Sequence, residues 1–348
     1  MPTKRRRIKL AVAALLTAPF AAAAAGWLFQ RAGLKRDKRR FPPRGLLLSR
    51  RGRYLHVVRE GTGRPAVVFE AGLAATSLSW ARVQPLVSEF SSTFSYDRAG
   101  LGWSQPLKLQ LTLEQMLDDL HGVVTWASGG EPVVLVGHSF GALLLLAYAR
   151  RFPKYVAGLV LVEPVSLANW AQCSDRDQQR LRVGAALSRR GGWLAEFGVV
   201  RAALLLLLHG GERWSQQIGR RAAGKGAATL ERLTGEVSKL PRELWPIIAA
   251  QWSRPQSFRA MASMLEALPA CALDAGNPML PTEMPVAILS AASATPEELR
   301  ERDGWLAGLI EKEHRILPEN GHWLHLEAPD EVAAAIRWCV ERAKLRAN

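Results

Sequence analysis

Ser139, in Gly137-His138-Ser139-Phe140-Gly141, and His322, in Asn320-Gly321-His322-Trp323, are the residues best placed to do chemistry in this 348-residue chain. A hydroxyl is a poor nucleophile at neutral pH, and an imidazole that takes its proton makes it a good one. The spacing Gly-x-Ser-x-Gly matters in one setting, a sharp strand-to-helix turn where the serine backbone is strained and nearby glycines remove clashing side chains. That setting is present. Residues 133–136 are an uninterrupted apolar run, and a helix is predicted over 142–151 directly after it. Such a turn lifts the Ser139 hydroxyl above a sheet edge, near a helix N-terminus that favours developing negative charge. His322 follows the last short strand, where a turn can aim it at the same edge. His325 is the rival base, but within Leu324-His325-Leu326-Glu327 a packing or surface role suits it better. His138 reads as a structural hydrogen-bonder.

The elements that must hold these two residues follow from hydrophobic patterning. Apolar runs at 66–69, 133–136, 159–162 and 286–289 lack alternation, as strands buried on both faces do. Weaker strand candidates lie at 46–49, 54–58, 93–96 and 315–317, with Arg51-Gly52 as a hairpin turn between the first two. Helices are predicted around 80–90, over 113–126 behind a Thr112/Gln115 capping box, and from about 330 to 344. Alternating strands and helices predict an α/β fold with a mostly parallel sheet covered on both faces. Residues 164–284 carry several helical stretches and no convincing strand, so they read as an inserted helical subdomain rather than a loop. The expected organisation is a basic N-terminal segment and linker over 1–45, a core over 46–163 and 285–348, and an insert over 164–284. Within the insert, 199–208 is too short to span a bilayer and reads as a buried helix, with a lipid-facing one as the alternative. Trp170, Trp193, Trp214, Trp245 and Trp252 are expected to be mostly core. Cys173, Cys271 and Cys339 have no metal-ligand spacing and read as free thiols.

A formal net charge of +15 would suggest a polyanion partner, but its distribution argues otherwise. Residues 1–53 hold 15 of the 46 Lys and Arg and one of the 31 acids, which leaves the remainder at +1. Nucleic acid is therefore not an expected partner. The basic residues flank an uncharged run at 10–29 that is long enough for a bilayer core, with Pro19 as a kink. A single retained N-terminal membrane helix is the leading expectation, and export after cleavage near Ala23-Ala24-Ala25 or a soluble protein with an Ala-rich helix are the alternatives.

Four segments in order make the chain resemble the α/β-hydrolase superfamily, in its branch with a helical cap. They are Glu70-Ala71-Gly72-Leu73, the run from Tyr96-Asp97-Arg98 through Gly100-Leu101-Gly102-Trp103-Ser104, the elbow at 137–141, and Gly321-His322-Trp323 through Glu327-Ala328-Pro329. The resemblance covers about residues 46–345. It implies an eight-stranded sheet, a Ser–His–acid triad and hydrolysis of an ester or related acyl bond, with no metal or organic cofactor. Carried over by position, the oxyanion-hole donors are the backbone N–H groups of Leu73 and Phe140. Many members carry His-Gly where this chain has Glu70-Ala71-Gly72, and Glu70 is read as a structural hydrogen-bonder. Asp97 and Arg98 are expected to brace their own glycine-containing loop. The acid that members usually place after the seventh strand is missing until Glu297 and Glu298, which open a helix. Another branch places it after the sixth strand, where Glu163 stands. Glu163 is thus the leading acid, with Glu297, Glu298, Asp303 and a purely structural Glu163 as the alternatives. Serine at the elbow argues against dehalogenase or epoxide-hydrolase chemistry, which needs a carboxylate there. The expected substrate is a small or medium apolar ester. Acyl transfer, perhydrolysis and a non-catalytic binding protein of the same fold are the other readings.

Overall fold

The computed structural model describes residues 4–106, 110–209, 235–276 and 278–347, with side chains from Thr17 onward except at 209 and 347. Eight strands form one sheet: β1 (Leu46–Arg50), β2 (Arg53–Glu60), β3 (Val67–Glu70), β4 (Thr93–Tyr96), β5 (Val133–His138), β6 (Val156–Val162), β7 (Val286–Ala291) and β8 (Lys312–Leu317). Their spatial order is β1-β2-β4-β3-β5-β6-β7-β8. β1 with β2 and β2 with β4 pair antiparallel, and every later pair is parallel. The predicted hairpin turn is present, with Arg51 and Gly52 both at positive φ.

The helices are α1 (Lys4–Arg40), α2 (Gln84–Ser88), α3 (Leu113–Ser128) and α4 (Phe140–Arg151), then α5 (Leu167–Ala171), α6 (Asp175–Glu196), α7 (Val199–His209), α8 (Trp245–Trp252) and α9 (Pro255–Ala275) between β6 and β7, and finally α10 (Pro296–Leu306), α11 (Leu324–Glu327) and α12 (Pro329–Ala347). Strand residues alternate between two apolar layers because successive side chains point to opposite faces. Val134, Val136, Val160 and Val162 pack with Val332, Ile336 and Val340 of α12. Leu135, Leu159 and Leu161 pack with α3 and α4 on the other face. Burial on both faces is why these strands read as continuous apolar runs. α9 contributes Met264, Leu268 and Cys271 to the α3–α4 layer. The capping box Thr112–Gln115 forms as expected.

Three expectations change. The helix expected over 80–90 is split into a 3-10 turn, Ser77–Trp80, and α2, because Pro85 cannot donate in a helix interior but suits a helix start. α7 is not a buried helix: Val199, Leu206 and Leu207 are exposed, whereas Arg201, the charge that interrupts its apolar run, is buried. Arg201 turns inward because α1 supplies partners, with Nε donating 2.8 Å to Gln30 and Nη1 donating to Asp37. Trp193 is also exposed rather than core, and Trp214 lies outside the described residues. The third change concerns α1, which continues through the basic run and docks its C-terminal half on the body. Gln30 and Asp37 are buried there, and Gln30 Nε2 donates 2.9 Å to the Ser253 carbonyl. The apolar run at 10–29 lies within α1, its first part preceding the described side chains. Among the described residues, no single helix is long and apolar enough to cross a membrane.

Candidate active site

Ser139 stands between the last residue of β5 and the first of α4, with φ 53° and ψ −115°. A non-glycine residue at positive φ costs about 1–3 kcal/mol and persists only where its surroundings impose it. They do so here. The Ser139 N–H donates 3.0 Å to the Val162 carbonyl of β6. Gly141 lies so close to β3 that a Cβ there would stand 2.4 Å from the Glu70 carbonyl oxygen. The elbow expected from the glycine spacing is therefore built by two neighbouring strands.

Glu163 leaves the end of β6 with φ 44°. Its N–H donates 2.7 Å to the Leu289 carbonyl of β7. The carboxylate is almost fully buried. Oε2 accepts from the Ala291 N–H at 2.6 Å, and Arg302 of α10 donates from Nη1 to Oε2 and from Nη2 to Oε1, each at 3.3 Å. Arg302 is held in turn by Ser290 Oγ and the Pro164 carbonyl. A carboxylate offers about four acceptor sites, so these three bonds leave room on Oε1 for another donor.

The His322 loop reaches the same edge by two backbone contacts. The Ala292 N–H donates 3.3 Å to the Asn320 carbonyl. His138 Nε2 donates 2.9 Å to the His322 carbonyl. The His138 and His322 rings have centroids 4.9 Å apart. Ser139, Glu163 and His322 therefore lie on three adjoining segments at the C-terminal edge of the parallel sheet.

The rival residues are engaged elsewhere. His325 is fully buried, 2.9 Å from Ser79 Oγ, with its ring 4.2 Å from that of His138. Ser79 gives its own proton to Glu236 Oε1 at 2.6 Å, so His325 Nε2 is the donor in that pair. Burial, then the nearby His322, pushes His325 down from 6.5 to about 3. Burial and the charges of His325 and His322 hold His138 well below the ordinary histidine range too. Both rings are neutral at pH 7, so neither repels an imidazolium on His322. Glu298 closes a capping box with Thr295, Glu297 pairs with Arg300, and Asp303 Oδ1 lies 2.6 Å from His314 Nδ1. Asp97 braces its loop as expected, accepting from the N–H groups of Ser77 and Trp103 and contacting His56 Nδ1. Burial pushes its carboxyl up, but these bonds outweigh burial and hold it below the usual value.

Sequence reasoning missed Arg302 and Glu236. For Arg302 a signal existed: it falls in an inward stripe with Trp305 and Leu306, where a charge demands a buried partner. Glu236 carries no comparable signal. Among the described residues, no three His, Cys, Asp or Glu side chains are grouped to hold a metal ion.

A model of the alpha/beta hydrolase family matches residues 67–335, most of the chain, from β3 into α12. The chain belongs to that family. It is 30% identical over 106 residues to an uncharacterised Bacillus subtilis protein, covering 30% of this chain and 42% of the relative. It is 29% identical over 133 residues to a haloalkane dehalogenase of Sphingobium indicum, covering 37% and 45%. Both alignments span less than half of the relatives' length. A thermophilic esterase from Thermogutta terrifontis superposes with a TM-score of 0.58 at 20% identity, over 85% of this chain and 97% of the esterase. At that identity the likeness speaks for the fold alone.

Proposed function

We propose that this member of the hydrolase family is a serine hydrolase that cleaves an ester or related acyl bond of a small to medium apolar substrate. The observation that carries the reading is the strained Ser139 on its strand-to-helix turn, at the sheet edge shared by Glu163 and the His322 loop. Ser139 attacks the substrate carbonyl as His322 accepts its proton. The oxyanion of the tetrahedral intermediate rests on the Leu73 and Phe140 N–H groups. His322 returns the proton to the leaving group, then draws one from water so that hydroxide releases the acid from Ser139. Glu163 holds the imidazole in its working tautomer and stabilises the imidazolium. A dehalogenase's carboxylate nucleophile has no counterpart at position 139. Incubation of the folded protein with a fluorophosphonate should modify Ser139 stoichiometrically, and an unmodified Ser139 would refute the reading.

For location, we propose that α1 holds the enzyme at a membrane by its apolar N-terminal part. Support comes from exposed Phe20 and Leu28 on the described part of α1, beside the basic flanks. A chain lacking residues 2–22, which leaves Gln30 and Asp37 in place, should move from the membrane pellet to the supernatant. Equal pelleting of both chains would exclude attachment through α1.

A further inference from the structure

Arg98 is 2% exposed and lies beneath the loop that follows β3. Its Nη1 donates to the Glu70 carboxylate and, at 2.7 Å, to the Ala71 carbonyl. Its Nη2 donates to the Gly72 carbonyl. Tyr96 donates its hydroxyl to the other oxygen of Glu70. The guanidinium carbon also lies 5.4 Å from the centre of the Phe140 ring. One buried cation thus holds the Gly72 carbonyl, in the peptide unit that carries the Leu73 N–H, and lies over the ring of Phe140.

The peptide unit joining Gly72 to Leu73 turns this contact into a constraint. It is trans and planar, so the Leu73 N–H points opposite to the Gly72 carbonyl. Tying that carbonyl to Arg98 below the loop directs the Leu73 N–H away from Arg98, to the other side. The Ala71 carbonyl, tied to the same guanidinium, prevents the preceding peptide from rotating in compensation. Such a grip needs two donors in a fixed plane, which arginine has and lysine lacks. Glu70 makes the burial of Arg98 tolerable, since an unpaired cation there would be strongly disfavoured.

We propose that Arg98, with Glu70 as its counter-ion, is a positioning residue that sets the direction of the Leu73 N–H and so preorganises the oxyanion hole. This rests on the serine-hydrolase reading, and the two fail separately. If wild-type Ser139 is neither labelled by a fluorophosphonate nor active on p-nitrophenyl butyrate, the hydrolase reading falls, and this proposal with it. If the wild type is active, Arg98→Lys decides. Loss of one oxyanion donor costs about 10²–10³ in rate, and a misdirected donor should cost somewhat less. The expected result is kcat lowered about 30-fold with KM within threefold of wild type. Inhibition by a trifluoromethyl ketone, whose adduct places an oxyanion in the hole, should weaken by a similar factor. A merely structural arginine would not move kcat and ketone affinity together while sparing KM. A folded Arg98→Lys with wild-type kcat, or with its loss confined to KM, would overturn the proposal. Should Arg98→Lys fail to fold, Glu70→Gln is read by the same two measurements, and the same outcomes decide.

Discussion

Ser139→Ala should lose essentially all turnover, about 10⁶-fold in kcat, and Ser139→Gly should lose as much while becoming the more stable of the two. The first effect follows from removing the nucleophile, since the remaining groups supply only binding and electrostatic stabilisation. The second follows from the backbone. At φ 53° the β-carbon of alanine keeps the strain that serine bears, whereas glycine is released from it. Glycine's extra freedom in the unfolded chain offsets part of the relief, so the net gain over Ser139→Ala should be about 1 kcal/mol. Urea unfolding of the two inactive variants measures it under identical conditions. A Ser139→Gly less stable than Ser139→Ala would mean that the turn at 139 stores no strain. Stability gained as function is lost is the trade expected of a residue held for chemistry rather than folding.

What could be read in the sequence divides by the range of the physics involved. The elbow was legible because its strand, glycines and helix are contiguous, as was the capping box at Thr112, where the partner is three residues away. The parallel sheet was legible through strand runs that lack alternation. Contacts made across the fold were not. Nothing local announces that Arg302 comes to Glu163, or that Arg98 grips the carbonyls of Ala71 and Gly72. Residues 199–208 show the same limit. A run of leucines says that a helix is apolar, while its burial depends on what covers it. In α7 the arginine went inward to Asp37 and several leucines stayed outside. The split of the helix expected over 80–90 is a different kind of miss, since Pro85 was there to be weighed.

Glu163 and Arg302 carry the second large effect, and the two residues should fail in different ways. Glu163→Gln keeps the shape of the side chain and can still accept hydrogen bonds, but it cannot stabilise an imidazolium. Its kcat should fall about 10⁴-fold, the loss seen when a triad acid becomes its amide. Arg302→Met instead leaves the Glu163 carboxylate buried without its cation, still accepting from the Ala291 N–H. Breaking a buried ion pair from one side costs about 3–5 kcal/mol, so this variant should be detected first by urea or thermal unfolding. Combining the two substitutions removes the uncompensated charge, so Glu163→Gln/Arg302→Met should recover part of that stability and none of the activity. Glu163→Gln also leaves Arg302 without its counter-ion, so lower stability is expected of it under either reading. A structural Glu163, serving only to bury Arg302, predicts a kcat near wild type. That outcome would take Glu163 out of the triad and require an acid to leave its present partner, with Glu297 the easiest to free because its pairing with Arg300 is at the surface.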